Sequence, residues 1–390
     1  MKFFALTIIL AVLMLTGCNS NTKIKQTQVK PPELQSLINH ALFEEQLTPS
    51  QASIFKLPDA EKKRFLTYVY KQLQMQTRAD EIVFNYLESE LSNFQYHGDT
   101  LTAQQTLDLS HGNCISLAIL TQSYANELNL ETSFQEMSNE PIYAKKNGLV
   151  YVSNHFRTKI YAPSNDSIDN DPYLFIIRRA GTLIDYFPSR GSYFSNNADY
   201  NDLVSKYYSN LAAQALADEQ LDFAYSVILQ AHKFTPYDPE LYNIAGILHR
   251  RAGDLQSAKA IYQSALDSNL SSVNLLSNYR YLAQMLGDHE LVSQLSAKLK
   301  NEQKDPFELL ALAANDVRSG DLNRAKRHIE QAIFQAPYIA ELYVELAKIK
   351  YQQGKINQTQ TLLEKAIDLE HDKERLNVYQ AKLLSARVNK

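Results

Sequence analysis

Tryptophan is absent from the 390 residues, and cysteine occurs only twice, as Cys18 and Cys114. Two cysteines cannot build a disulfide framework or a cysteine-rich zinc site. Charge of one sign is not in excess either: 39 Lys and Arg face 43 Asp and Glu, for a formal net charge of -4. That leaves neither the basic field of a nucleic-acid binder nor an acidic tail, so nucleic acid is not an expected partner. Beyond Leu15 no apolar run approaches the roughly 18 residues that a spanning helix needs. What remains is an ordinary globular composition, 45% hydrophobic and 21% charged. The length exceeds one domain of about 100–200 residues, so two or three units are expected.

The N-terminus carries one positive charge (Lys2), an apolar run from Phe3 to Leu15, and then Leu15-Thr16-Gly17-Cys18. This pattern is that of a signal peptide. The small residues ahead of Cys18 resemble a bacterial lipobox. That resemblance implies a signal peptide over residues 1–17, lipidation of Cys18 and a membrane anchor. Asn19, which is not Asp, implies a lipid-anchored address in the cell envelope, at the outer membrane facing the periplasm. Residues 18–32 are polar, include Pro31-Pro32 and read as a flexible tether.

Residues 33–204 form the next unit. Lys62, Phe65, Leu66, Val69, Tyr70 and Leu73 follow Pro58-Asp59 at helical spacing, with Asp59 as the expected N-cap, and a second helix is expected from Asp80 to Leu91. Gly112-Asn113-Cys114 opens another helix whose apolar face is Leu117, Leu120, Tyr124 and Leu128. The texture then changes. Thr132 to Met137, Leu149 to Ser153, Phe156 to Tyr161, Tyr173 to Arg178 and Thr182 to Phe187 are short runs rich in β-branched and aromatic residues, punctuated by Asn147-Gly148 and Gly181. They predict a small antiparallel sheet, with an exposed polar loop over Pro163 to Asp171.

From about residue 205 the chain is helical and repetitive. Gly253-Asp254-Leu255, Gly287-Asp288, Gly320-Asp321-Leu322 and Gly354-Lys355 recur at spacings of 34, 33 and 34 residues. Five residues after each glycine stand Ala258, Val292, Ala325 and Thr359, and twelve after stand Ala265, Leu299, Ala332 and Ala366; one period earlier the register gives Ala224 and Ala231. This pattern resembles the tetratricopeptide (TPR) repeat, in which small residues let antiparallel helices approach and each pair stacks on the next. Five repeats are expected over 205–372, the third (273–305) the most degenerate, with a capping helix over 373–390. By the register of that family, Asn243, Arg250, Asn274, Tyr281, Lys348 and Tyr351 would face a concave groove that binds a protein or peptide.

Cys114 stands at a helix start, where unpaired N–H groups and the helix dipole favour a thiolate. A cysteine nucleophile needs a base and a group to orient that base. His155, at the start of a predicted strand, and Asp185, on the next usable one, are the candidates. Helix cysteine, strand histidine and neighbouring-strand aspartate in that order resemble the transglutaminase-like superfamily, over about residues 60 to 200. Phe156 stands where relatives frequently carry Trp, and the polar loop lengthens the interval between His155 and Asp185. The implied fold is an α+β transglutaminase-like (papain-like) domain followed by an all-α TPR solenoid. The implied activity is that of a cysteine protease or amidase. Cys114 would attack an amide carbonyl, His155 would act as base and then acid, and Asp185 would orient His155; hydrolysis, deamidation and crosslinking share these steps. His111 could line the cleft. His97 falls in a loop, and the histidines of the repeats lack metal-ligand spacing, so no metal or cofactor is expected. The alternative is a catalytically inactive TPR scaffold lipoprotein that assembles envelope proteins.

Overall fold

The computed structural model describes residues 33–146, 149–163, 179–186, 193–300 and 304–388, with residues 138–155 described by backbone alone. The signal peptide, Cys18, the tether, the Tyr173 to Arg178 run and nearly all of the polar loop lie outside these residues.

Two short helices, α1 (Leu34–Leu37) and α2 (Gln51–Ile54), precede α3 (Asp59–Gln74) and α4 (Ala79–Glu90). Asp59 lies in the first turn of α3 and Pro58 takes the cap position without a side-chain hydrogen bond; an acidic first turn suits the positive helix end all the same. Then come β1 (Gln95–Tyr96), α5 (Ala103–Leu109), β2 (His111–Gly112) and α6 (Cys114–Glu127). The expected sheet is present as β3 (Thr132–Lys146), β4 (Leu149–Tyr161), β5 (Gly181–Asp185) and β6 (Tyr193–Ala198), in the order β5-β4-β3-β6 with antiparallel pairings. Leu149 to Ser153 and Phe156 to Tyr161 merge into one strand, and β6 had no clear sequence signal because its residues from Tyr193 to Asn197 are all exposed.

The expected apolar face of α6 is too narrow a description. Every residue from Cys114 to Ala125 is buried, with β4, α4 and the following long helix packed round it. Two of its hydroxyls are satisfied within the helix: Thr121 donates to Leu117 O and Ser123 to Ile119 O. Phe65, Tyr86 and Tyr124 form an aromatic triangle between α3, α4 and α6, and the buried Glu61 carboxylate accepts from both tyrosine hydroxyls, at 2.8 and 2.6 Å.

The repeats follow as antiparallel pairs: α7 (Tyr200–Ala217) with α8 (Leu221–Phe234), α9 (Pro239–Arg251) with α10 (Leu255–Asp267), α11 (Val273–Met285) with α12 (His289–Lys298), α13 (Pro306–Arg318) with α14 (Leu322–Gln335), and α15 (Ala340–Gln352) with α16 (Ile356–Leu369), closed by α17 (Lys373–Val388). The Gly-Asp motif has a local cause. Each motif glycine takes a positive φ, +85° at Gly253, which ends the first helix of the pair. The aspartate caps the second: Asp254, Asp288 and Asp321 accept the N–H of Ser257, Leu291 and Arg324 at 2.9–3.1 Å. Ala224, Ala231, Ala258, Ala265, Ala325, Ala332 and Ala366 are wholly buried at the helix crossings. The third pair departs as expected, with Val292 and Leu299 in place of alanine and only Leu295 buried within α12.

The two units share a core, because α7 packs against α6, β3 and β6 while pairing with α8. Residues 33–50, assigned by sequence to the first unit, lie on the first two repeats. Leu34, Ile38 and Phe43 are buried there, and Phe43 stacks on Tyr225 at 5.2 Å. Backbone N–H groups along this strap donate to Asp222 Oδ1 from Glu44 (2.9 Å) and to Ser226 Oγ from Gln46 (2.8 Å). Those of Leu34 and Asn39 reach His232 Nε2 (3.4 Å) and His249 Nε2 (3.1 Å). His249 Nδ1 bonds Ala245 O at 2.8 Å, which fixes the neutral tautomer with Nε2 as acceptor.

Gly253→Ala places a side chain at φ +85° and should cost about 1 kcal/mol, whereas Lys355→Asp supplies the cap missing from α16 and should add about as much, both read from the urea midpoint. Desolvation holds His232 and His249 below the ordinary histidine pKa. Below about pH 6.5 the unfolded chain therefore binds more protons than the folded one, and stability present at neutral pH is lost on acidification. The fall in Tm between pH 7.5 and 5.5 should shrink in a His232→Gln/His249→Gln variant.

Candidate functional site

The loop ahead of α6 is tied down before the cysteine is reached. β1 and β2 pair in parallel, Gln95 with His111 and Tyr96 with Gly112. Gly112 sits at φ +151°, and a Cβ there would meet the Ser116 side chain at 2.8 Å. Asn113 is the N-cap: its Oδ1 accepts the N–H groups of Ile115 and Ser116, each at 3.0 Å, while its Nδ2 donates to Thr100 Oγ1 at 2.7 Å. Asn113 N–H and Ser116 Oγ both donate to Asp99 O at 3.1 Å. The middle residue of Gly112-Asn113-Cys114 thus builds the helix start.

Cys114 is the first residue of α6 and is 5% exposed. Its surroundings do not favour the thiolate that a helix start by itself promotes. Desolvation pushes the thiol up to about 11, against the opposing pull of the backbone N–H groups of Phe156, Ile115 and Cys114 and the charge of Lys206. Burial in apolar surroundings outweighs the helix terminus here. Lys206, on α7, is held by an ion pair to Glu136 at 2.6 Å.

The backbone of His155 lies in β4 opposite Met137, next to the residue whose N–H reaches Cys114; its side chain is outside the described residues. Asp185 ends β5 in register with Arg157, whose Nη1 lies 3.4 Å from Asp185 Oδ2. Strand register thus sets Asp185 opposite Arg157, two residues along β4 from His155, while the N–H of Phe156, between them in sequence, reaches Cys114. Tyr186, which sequence reasoning missed, belongs to the same region. Its hydroxyl bonds those of Thr121 and Thr158, each at 2.7 Å. Desolvation, with smaller contributions from Cys114 and Asp185, raises its pKa. Its position just after Asp185 was the one available signal.

Two other constellations stand out. His97, Asp99 and His111 bring their ligand atoms within 4.8 Å of one another beside β1 and β2; separated by up to 14 positions, they show no ligand spacing in sequence. On the first helices of the second and third repeats, Asn274 Nδ2 donates to Glu240 (3.3 Å), Asn278 Nδ2 to Asn243 Oδ1 (3.0 Å), and the Arg250 guanidinium lies 4.8 Å from the Tyr281 ring centroid. Four of the six expected groove residues, Asn243, Arg250, Asn274 and Tyr281, are thus joined. On α15, Lys348 pairs with Glu345, and the Tyr351 ring is exposed.

The folded class is a helical-repeat solenoid joined to a small mixed α/β unit. Solved structures similar to about half the chain are TPR proteins. A chain of the Cut9–Hcn1 hetero-tetramer of the APC/C matches at 13% identity and TM-score 0.35, over 47% of this chain and 36% of that one. PilF of Pseudomonas aeruginosa matches at 16% identity and TM-score 0.37, over 48% and 87%. A TPR protein of Thermus thermophilus matches at 17% identity and TM-score 0.35, over 46% and 98%. No protein-family profile and no curated protein sequence matches the chain.

With its thiol near 11 against an ordinary value of 9.0, Cys114 should react with iodoacetamide at pH 7.5 roughly a hundredfold more slowly in the folded protein than in urea. Equal rates, followed by mass spectrometry, would mean that the fold does not suppress the thiolate, and a faster rate in the folded protein would mean that it activates the sulfur.

Proposed function

We propose that the chain is a protein-binding repeat scaffold, held at the envelope by a lipid on Cys18, whose working surface is the first-helix face of the repeats. The supporting observation is the interlocked row of Glu240, Asn243, Asn274 and Asn278 beside the Arg250–Tyr281 pair. Asn243 is itself buried and holds Asn278, while the exposed Asn274 carboxamide offers both a donor and an acceptor for the N–H and C=O groups of an extended partner segment. Tyr281, 48% exposed, and Tyr351, 44% exposed, offer apolar area with a polar tip on helices two repeats apart. Among the described residues no helix is long and apolar enough to cross a membrane, so attachment would rest on the lipid.

A second reading keeps the transglutaminase-like chemistry, with Cys114 as nucleophile, His155 as base and Asp185 as orienting carboxylate. It is supported by the Phe156 N–H directed at Cys114 and the register of Asp185, on β5, opposite Arg157, the residue after Phe156. The elevated thiol pKa weighs against it at rest.

A photo-crosslinking residue placed at Tyr281 or Tyr351 in cells should capture the same partner, and capture should fall in an Asn243→Ala/Asn278→Ala background. The same probe at Phe334, exposed on α14, should not capture it. Equal capture from all three positions would refute the groove, and capture that depends on Cys114 would favour the second reading.

A further inference from the structure

We propose that His97, Asp99 and His111 form a site for one divalent transition-metal ion of the zinc class, on the loop that precedes α6. His97 Nδ1 lies 2.8 Å and His111 Nε2 3.5 Å from the same oxygen, Asp99 Oδ2, and the two imidazole centroids are 5.0 Å apart at 49°. Zinc bonds of about 2.0–2.2 Å arranged tetrahedrally set neighbouring ligand atoms about 3.4 Å apart, so the imidazole–carboxylate distances need about half an ångström of adjustment and the two imidazole nitrogens, within 4.8 Å of each other, at most about 1.4 Å. Two imidazoles and one carboxylate suit zinc, nickel, copper or iron, whereas magnesium and calcium prefer an all-oxygen shell.

The ligands are positioned by backbone that is fixed without the metal. His97 N–H donates to Gly112 O at 3.0 Å and Gln95 N–H to Ser110 O at 3.1 Å, which holds the segments carrying the two histidines side by side. The Asp99 carbonyl is anchored by Asn113 N–H and Ser116 Oγ. Little ordering is left to oppose binding. The His97 side chain is 61% exposed and those of Asp99 and His111 about a third, so an ion enters from solvent and keeps water on its remaining positions. A bound ion would join residues 97–99 to 111 and so stiffen the Asn113 cap of the helix that carries Cys114. The site depends on neither reading of the function.

The test is titration of the untagged, chelator-treated protein with Co²⁺, followed by its d–d absorption, and then displacement by Zn²⁺ in a competition assay. One equivalent should bind in the micromolar range or tighter. Asp99→Asn should weaken binding at least about tenfold, and His97→Ala and His111→Ala should abolish it. Zn²⁺ should also raise the Tm of the wild-type chain but not of His97→Ala, a change at an exposed side chain that keeps the test valid should His111→Ala fail to fold. Millimolar or non-stoichiometric binding, or binding unaffected by these substitutions, would overturn the proposal.

Discussion

A helix with no solvent face organises the first half of the molecule. Because α6 is buried from Cys114 to Ala125, other elements must cover its whole circumference, and β4, α4 and α7 do so. One of these, α7, is also the first helix of the repeats, so the mixed unit and the solenoid are joined by shared core and not by a linker. Each buried Leu or Ile contributes about 1.5–3 kcal/mol, and Ile115, Leu117, Ile119 and Leu120 all lie on this one helix. The same burial decides the chemistry of Cys114: a sulfur at a helix terminus gains from the dipole, but a dry one loses more by giving up its proton.

Local rules repeated at a fixed period build the second half. A glycine in the left-handed region stops one helix, an aspartate starts the next, and an alanine at the crossing lets the two approach. The strap over residues 33–50 then ties the first two repeats to the mixed unit through backbone N–H groups that two neutral histidines accept. On the first helices the carboxamides of Asn243 and Asn278 are bonded to each other between repeats, Asn243 being buried and Tyr281 exposed.

The repeats were legible because each of their causes is local and recurs. Where the period kept its alanines they are buried at the crossings, and where Val292 and Leu299 replaced them only Leu295 is buried within α12. The strands β3, β4 and β5 were legible from their β-branched and aromatic residues, although two expected runs proved to be one strand, and β6 was not read. Less could be read wherever distant segments meet. The 33–50 strap carries no periodic signal for its docking on α8 and α9. His97 and His111 become neighbours only through a two-residue parallel ladder. The desolvation of Cys114 depends on elements up to about 90 residues away, such as α7, whereas the dipole that suggested a thiolate is a local property of the helix. Positions 114, 155 and 185 were read as a constellation from their order and element types, and strand register sets Asp185 opposite Arg157, two residues along β4 from His155.

Whether the repeat face or the sulfur carries the function is tested most directly by quantitative mass spectrometry of envelope proteins in cells holding the wild-type chain, Cys114→Ala, or Asn243→Ala/Asn278→Ala. A binding scaffold predicts that Cys114→Ala leaves cleavage, deamidation and crosslinks unchanged, while the asparagine variant alters partner abundance or assembly. Loss of a defined set of cleaved, deamidated or crosslinked products in Cys114→Ala, with the asparagine variant behaving as wild type, would contradict it.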